Sequence, residues 1–542
     1  MKLYKKVIQI VVPITALAVM SGCTKLDEKL NSTLTNAQVS SSLGAAGTGL
    51  LLSAAYADLG GPFTGQDQVF SLEENSTDES LVPTRGGDWD DNGVWRVIHN
   101  HTWNADHGQI LSVFNNLNKI NFDATNVLGF NPTKSQAAEA RFIRAYALYY
   151  LLDLYGQYPI RNPGDNLLLA PTVKSGADAI NFIISELTAL IPDLPANNPP
   201  SKANQDAANV LLMHCLLQKG TFINRASPTF DPADMAQVIT LGNAIINSDK
   251  YSYASNYFDN FNPTNHNSPE AIFEYPNTSG VSANNSGIAA RWMMTLHYNM
   301  WTPNNPNSGW NGFSTISDFY SSFNVTASPT AFGPNDTLLD PRIGGRYYMG
   351  TTNISGLRPG FLVGQQYNEN GQPEQDRKGN PLAFTPAIAS NMIETGSNLE
   401  VTGIRVVKYP PDYSNYGGPA GNDLMFFRYP DVVLMVAEAK MRTGDNAGAL
   451  ALVNSLRSAR GAAPLVSMTL VNTSNVDDPN TLLAERGREL YWESFRRTDL
   501  ERFGVFNVLW QYKPSDDPKY LLYPIPNQAL AANPNLTQNP GY

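Results

Sequence analysis

The sequence has little cysteine and no run of basic residues. Its 542 residues include only two cysteines, Cys23 and Cys215. If Cys23 carries lipid, as argued below, no intramolecular disulfide can form. Acidic residues outnumber basic ones by 48 to 37, which gives a formal net charge of −11. Nucleic-acid binding is a poor fit to this balance, because it depends on neutralising phosphates with lysine and arginine.

The sequence also lacks the short motifs that mark common catalytic sites. It has no phosphate-cradling glycine loop, no His-Glu-x-x-His helix, no Cys-x-x-Cys pair and no Gly-x-Ser-x-Gly elbow. His99 and His101 lie two residues apart and would face one side only on a strand, so we expect ordinary hydrogen bonds there. Acidic residues are plentiful, and a pair of glycosidase carboxylates therefore stays open. The residues thus single out no catalytic site, and we expect neither a metal nor a cofactor.

The first residues have the pattern of a bacterial lipoprotein signal. Three lysines give a basic start, a mostly apolar stretch follows from Val7 to Met20, and Ser21-Gly22-Cys23 closes it. The stretch is shorter than the ~20 apolar residues that span a bilayer, so it is a targeting segment. A cysteine at this point can be acylated, and two or more acyl chains anchor a protein stably. We expect residues 1–22 to be the signal peptide and Cys23 to carry lipid; the alternative is a secreted protein with a chance cysteine.

Apolar residues at helical spacing predict a scaffold of helices. The clearest helix runs from Lys134 to Tyr155, with apolar residues three and four apart, and Gly156 ends it. A second apolar run surrounds Cys215 at helical length. A free cysteine in such a run behaves as a small apolar side chain, so the sequence predicts a buried, unreactive thiol there.

Two later segments have the pattern of helix–turn–helix pairs. One joins residues 203–219 to 232–247, and the other joins 430–442 to 447–460. Small residues in the second pair permit close packing, as in tetratricopeptide units, whose helix pairs bury their apolar stripes against each other. A further charged helix is predicted over 485–500, with glutamates on one face that form ion pairs with arginines.

We expect the mature chain, residues 23–542, to form a single domain. Its helical scaffold would occupy about 35–59, 110–250 and 426–510. Between about 252 and 425, Asn, Pro, Gly, Ser and Tyr dominate and no apolar period persists. The aromatic content of that segment predicts ordered loops rather than disorder. The predicted fold class is mainly α, with tetratricopeptide-like helix pairs and a large irregular, loop-rich half that binds the ligand.

Six of the eight tryptophans fall in two polar, loop-like segments. They are Trp89, Trp95 and Trp103 in the first and Trp292, Trp301 and Trp310 in the second. A tryptophan in such a segment is either a core residue beneath loops or an exposed platform. A platform suits a sugar, because ring C–H groups lie on the indole face while the hydroxyls need polar partners. The pattern predicts a sugar site that uses at least one of them, and for each tryptophan alone both interpretations stay open.

Five segments together resemble the SusD/RagB family of Bacteroidetes surface lipoproteins, and the likeness covers nearly the whole chain. They are Cys23 with Leu26-Asp27-Glu28; 139–146 (EARFIRAY) with Leu154-Tyr155-Gly156; 429–439 (YPDVVLMVAEA); 485–500; and the chain end, with 523–526 (YPIP) and 533–542 (NPNLTQNPGY). Each segment alone is weakly specific. Their order and separations together are highly specific.

The resemblance implies a protein anchored by lipid in the outer membrane and facing the cell exterior. It implies the capture of an oligosaccharide or polysaccharide and its delivery, without cleavage, to a partner, a SusC-like TonB-dependent transporter. A matching family segment implies four ligand-binding residues, which are Arg85, Asp88, Trp89 and Trp95. Trp301 and Trp310 are further candidates from the loop-rich insertion. Two alternatives stay open: a peptide-binding or purely scaffolding member of the family, and, less favoured, a surface glycoside hydrolase.

Overall fold

The computed structural model describes eight ranges of the chain. They are 36–281, 287–300, 309–323, 340–344, 359–368, 371–396, 398–415 and 418–542. The predicted signal peptide, Cys23 and Trp301 lie outside the described residues. Within the ranges the chain is mainly helical, which confirms the predicted fold class. In the same ranges no helix combines the length and the apolar character needed to cross a bilayer.

The helices fall into an N-terminal group and a C-terminal group, and most strands lie between them. The helices are α1 Asn36–Asp58, α2 Gly60–Thr64, α3 Val69–Glu74, α4 Val94–His99, α5 Gly108–Leu128, α6 Lys134–Tyr155, α7 Gly176–Leu190, α8 Gln205–Ile223, α9 Pro232–Ile246, α10 Ala290–Met293, α11 Ser317–Ser321, α12 Tyr429–Arg442, α13 Asn446–Ala459, α14 Leu482–Leu490, α15 Arg496–Arg502 and α16 Asn527–Ala532.

The strands are short and pair two at a time. They are β1 Thr84–Arg85, β2 Gln157–Ile160, β3 Thr172–Ser175, β4 Ala271–Tyr275, β5 Gly360–Leu362, β6 Gly364–Gln365, β7 Ala383–Phe384, β8 Ile393–Glu394, β9 Arg405–Val407 and β10 Leu424–Arg428. The pair β1–β8 is parallel, whereas β2–β3, β4–β10, β5–β9 and β6–β7 are antiparallel. Within the described part of the chain these pairs tie loops together and form no larger sheet.

Helix α6 forms where the sequence predicts it. Thr133 and Gln136 make a reciprocal capping box at its start, which satisfies two backbone N–H groups that the first turn leaves free. Gly156, with a φ of 70°, ends the helix in the left-handed conformation that glycine adopts without strain. Nearly all side chains from Ala138 to Tyr155 are buried, so α6 is the central helix of the scaffold.

The two predicted helix pairs are present. Helix α8 packs on α9, α12 packs on α13, and α9 also packs on α12. At that last contact, a Cβ on Gly242 would lie 2.2 Å from Cγ2 of Val436, so only glycine permits the observed approach. Cys215 in α8 is buried as predicted, and burial raises the pKa of its thiol.

The helix predicted over 485–500 is wrong as a single helix. Helix α14 ends at Leu490 and α15 begins at Arg496, with Trp492 and Ser494 between them at positive φ. The backbone N–H of Trp492 donates to Oε2 of Glu79 at 3.1 Å, and that of Ser494 donates to a Glu74 carboxylate oxygen at 2.5 Å. These long-range bonds replace the next turn of the helix, which local propensity could not indicate.

The predicted ion pairs of this segment are confirmed. Glu489 lies 2.7 Å from Arg460 and 3.1 Å from both Arg428 and Arg342, and all four side chains are buried. Burial alone would raise the pKa of Glu489, but the three guanidinium groups outweigh it and lower the pKa to about 2. Glu489 is therefore ionised and structural, as the sequence predicts.

Candidate ligand-binding site

A tight turn after β1 presents Asp88 and Trp89. The backbone N–H of Arg85 donates to the carbonyl of Asp88 at 2.9 Å, and the N–H of Asp88 donates back to Arg85 at 3.1 Å. Gly86 inside this turn has a φ of 67°, which favours glycine. The turn therefore holds Asp88 and Trp89 at fixed positions on the surface.

Arg85 lies beneath that turn and ties it to the loop-rich half. Its side chain is buried and donates to the carbonyl of Leu399 at 2.9 Å, Oγ1 of Thr402 at 2.7 Å and Oγ of Ser314 at 3.0 Å. Burial lowers the pKa of Arg85 to about 10, so the guanidinium stays charged at neutral pH. The structure thus places Arg85 below the surface on which Asp88 is exposed.

Trp89 is half-buried and joins the two tryptophan-rich segments. Its Nε1 donates to the backbone carbonyl of Trp310 at 2.6 Å. Its ring meets Phe313 and Trp95 edge to face, with centroids 5.6 and 5.7 Å apart. Trp95 is only 6% exposed and donates through Nε1 to Asp91 at 2.7 Å. Trp95 therefore supports Trp89 from the protein interior.

Trp310 is the more exposed of the two connected indoles. Its side chain is 38% exposed, although its backbone N–H is held by the carbonyl of Met293 at 2.5 Å. Trp89 donates to the carbonyl of Trp310 itself, so the backbone that carries the Trp310 side chain adjoins the Trp89 indole. An exposed large aromatic ring on a fixed backbone is the feature expected of a stacking platform.

Two residues that the sequence did not indicate complete this surface. The Tyr298 hydroxyl donates to Asp88, and the guanidinium carbon of Arg377 lies 3.8 Å from the centroid of the Tyr298 ring. Arg377 and Asp88 are 47% and 50% exposed, with 3.9 Å between their charged groups. We call the set of Asp88, Trp89, Tyr298, Trp310 and Arg377 the aromatic surface.

The aromatic surface offers stacking faces and hydrogen-bonding groups. In the part of the chain that the structure describes, no three His, Cys, Asp or Glu side chains are grouped so as to hold a metal ion. His99 and His101 are buried and hydrogen-bonded, His99 to the Ser80 carbonyl at 3.1 Å and His101 to Asp516 at 2.5 Å. The surface is thus equipped to bind a flat, hydroxyl-rich molecule.

The structure divides the predicted site residues into three groups. Asp88, Trp89 and Trp310 share the aromatic surface, whereas Arg85 and Trp95 lie beneath it and Trp301 is outside the described residues. Tyr298 belongs to the second tryptophan-rich segment, so its neighbours could have indicated it. Arg377 lies in a polar turn without any such signal.

Comparisons with known proteins support the observed fold. The model of the SusD family matches residues 269–517. The chain is 25% identical over 507 residues to the starch-binding protein SusD of Bacteroides thetaiotaomicron. The alignment covers 88% of this chain and 85% of SusD.

Two solved structures share the architecture. A SusD-like protein from Bacteroides fragilis aligns with a TM-score of 0.68 at 18% identity, covering 91% of this chain and 96% of that one. Surface glycan-binding protein A from B. thetaiotaomicron, in complex with laminarihexaose, aligns with a TM-score of 0.61 at 15% identity, covering 91% and 99%. With the family and sequence matches, these structures confirm the resemblance noted in the sequence.

Proposed function

We propose that this protein, which belongs to the SusD/RagB family, captures a glycan on the aromatic surface and does not cleave it. The observation that carries the proposal is the 38% exposed Trp310 beside the half-buried Trp89, with Asp88 and Tyr298 adjoining them. Aromatic walls with a few placed polar groups are typical of sites for small polar ligands with apolar faces.

The proposed mechanism is stacking combined with hydrogen bonds. The C–H face of a sugar ring would lie on Trp310 and on the exposed part of Trp89, and its hydroxyls would bond to Asp88 and Tyr298. Each such bond replaces one to water and contributes only ~0.5–1.5 kcal/mol. We therefore expect each sugar ring to bind with modest affinity, and the contributions of several rings of one glycan chain to add. Arg85 and Trp95 would act from below by fixing Asp88 and Trp89.

The names of relatives support a carbohydrate ligand. The matching protein of B. thetaiotaomicron is named as a starch-binding protein, and the aligned glycan-binding protein is in complex with laminarihexaose. Both are named as binding proteins rather than enzymes, which agrees with capture without cleavage.

Anchoring and delivery complete the proposal. The signal pattern that closes at Cys23 supports acylation of that cysteine and attachment to the outer membrane, with the body of the protein facing the exterior. Resemblance to the family supports delivery of the captured glycan to a SusC-like TonB-dependent transporter. Under this proposal, the protein concentrates glycan at the mouth of its partner.

Affinity electrophoresis tests the proposal directly. The mature chain, starting after Cys23, would be run through native gels that contain starch or laminarin, and the same mixtures would be assayed for new reducing ends. Retardation without new reducing ends would support capture. New reducing ends would favour the glycoside hydrolase, and binding of peptides without retardation by any glycan would favour the peptide-binding alternative.

A further inference from the structure

Glu400 lies beneath the aromatic surface and joins the segments that form it. Its side chain is buried. Oε1 accepts from Nε of Arg377 at 2.7 Å, and Oε2 accepts from Nε2 of His297 at 2.9 Å. Its backbone carbonyl accepts from the side chain of Asn311 at 3.1 Å, next to Trp310. One residue thus holds the loop of Tyr298, the backbone beside Trp310 and the turn that carries Arg377.

The imidazole of His297 adds no positive charge to this arrangement. Its Nδ1 accepts from the backbone N–H of Asn299 at 3.0 Å, so the ring proton lies on Nε2 and points at Glu400. Burial lowers the pKa of His297 to about 4, which leaves the ring neutral at pH 7. Arg377 is therefore the cation that faces the Glu400 carboxylate across a hydrogen bond.

Glu400 stays ionised in spite of its burial. Burial alone would raise the pKa of the carboxyl, but hydrogen bonds from His297 and Arg377 outweigh it and hold the pKa below its usual range. The charge of Arg377 is thus matched at neutral pH by a fixed carboxylate.

The exposed side of Arg377 also meets negative charge. Its NH2 group lies 3.9 Å from the carboxylate of Asp88, which is itself half-exposed. The next two carboxylates of the chain have other partners, since Asp90 is paired with Arg96 at 2.9 Å and Asp91 accepts from Trp95. A ligand carboxylate or sulfate that approached Arg377 would therefore be repelled by Asp88 and would find the guanidinium already paired.

We propose that Glu400 is a specificity-determining residue, which keeps Arg377 paired and over the Tyr298 ring so that the site takes uncharged sugar rings and rejects anionic ones. The inference rests on the proposed glycan capture and deepens it by naming the class of glycan. In this arrangement Arg377 lies over the Tyr298 ring as a paired cation and does not act as an anion receptor.

Substitution can separate two roles of Glu400, charge selection and mechanical support. If Glu400 only held the loops in place, Glu400→Gln would weaken the binding of neutral and anionic glycans alike. If it neutralises Arg377, Glu400→Gln releases a positive charge at the surface, so the ratio of the two affinities must change. The double variant Glu400→Gln/Arg377→Gln removes both charges and should return the ratio toward that of the unsubstituted protein.

Calorimetry with matched probes gives the test. The probes are laminarin and starch, each beside a counterpart oxidised at C6 so that part of its sugars carry carboxylates. The mature protein should bind the neutral form at least about tenfold more tightly than the oxidised form. Glu400→Gln should shrink that ratio about tenfold, and 0.5 M NaCl should remove most of the change because salt screens exposed charges.

Three results would overturn the inference. The first is equal or tighter binding of the oxidised glycan by the unsubstituted protein. The second is an equal loss of both affinities in Glu400→Gln, and the third is a double variant that fails to restore the ratio although its circular dichroism is unchanged. All three leave glycan capture intact, whereas failure of the unsubstituted protein to bind either probe in either form would overturn the proposed function itself.

Discussion

Gly312 leaves the space in which the Trp89 indole lies. A Cβ on Gly312 would stand 2.4 Å from Cε2 and 2.5 Å from Cζ2 of Trp89, and 2.9 Å from the carbonyl oxygen of Met294. The backbone around Gly312 therefore runs directly against the ring, two residues after it presents Trp310. One segment thus sets the positions of both indoles on the aromatic surface.

Gly312→Ala should consequently displace Trp89 and weaken glycan binding about tenfold or more, because the added methyl group has no free space. Gly87→Ala is the matched control, since a Cβ there meets nothing within 4 Å. Affinity gels and intrinsic tryptophan fluorescence would be measured for both variants. Unchanged binding by Gly312→Ala would show that the position of Trp89 does not matter for the ligand.

Trp95 and Trp310 should respond differently to truncation. Trp95→Ala removes a buried ring and should cost ~3–5 kcal/mol of unfolding free energy, with loss of binding as a consequence. Trp310→Ala removes a partly exposed ring and should cost much less stability, while it still weakens binding at least about tenfold. Urea unfolding of each variant would separate the two roles, and equal losses of stability would contradict the division into support and platform.

Buried ion pairs should give the protein an acid-sensitive stability. Glu438 accepts hydrogen bonds from Arg502 at 2.7 and 2.8 Å, and although burial opposes ionisation, Arg502 and Arg442 lower its pKa to about 2. A carboxyl whose pKa is lower in the folded state stabilises that state at pH values above its pKa in the unfolded chain, ~4.3. This stabilisation is lost as the pH falls toward 2.

Glu438→Gln should therefore lower the unfolding free energy at pH 7 by ~3–5 kcal/mol, because it leaves buried guanidinium charge unpaired. It should also flatten the decline of stability between pH 4.5 and 2. Denaturant titrations at several pH values would measure both effects. Asp193→Asn, at an exposed position, is the control and should change neither; an unaltered slope in Glu438→Gln would refute the assignment.

Glu74 should have the opposite pH dependence. Burial raises its pKa to about 8, against the hydrogen bond that it accepts from Ser494. A carboxyl whose pKa is raised in the folded state stabilises that state fully at pH values below its pKa in the unfolded chain, ~4.3. This stabilisation is lost as the pH rises toward 8. Glu74→Gln keeps an acceptor for Ser494 and cannot ionise, so it should unfold at higher urea than the unsubstituted protein at pH 9. A lower midpoint for Glu74→Gln at pH 9 would contradict a neutral Glu74.

Local sequence pattern predicted the scaffold better than the site. The capped, periodic helix α6 and the α12–α13 pair follow from spacing and turn residues, which act within a few positions. The break at Trp492 depends on carboxylates far away in the chain, so no local signal marks it. The same reason explains why composition near Arg85 and Trp95 indicated a site but not their burial.

Long-range contacts also explain the residues that the sequence did not indicate. Arg377 reaches Tyr298 and Glu400 only because the loop-rich half folds back on itself. Asp88, Trp89 and Trp310 could be proposed from residue type, since exposed polar segments rich in tryptophan are unusual. Residue type therefore indicated Trp89 and Trp310 as candidates, whereas only the folded structure identified the residues that hold them in place.

The most direct test of glycan capture compares two aromatic side chains of equal exposure. Trp310 is 38% exposed on the aromatic surface, and Phe122 is 39% exposed on α5. Calorimetry with starch and laminarin should show that Trp310→Ala binds at least about tenfold more weakly, since a stacked ring contributes ~1.5–3 kcal/mol. Phe122→Ala should bind like the unsubstituted protein. Full affinity in Trp310→Ala, or an equal loss in Phe122→Ala, would contradict capture on the aromatic surface.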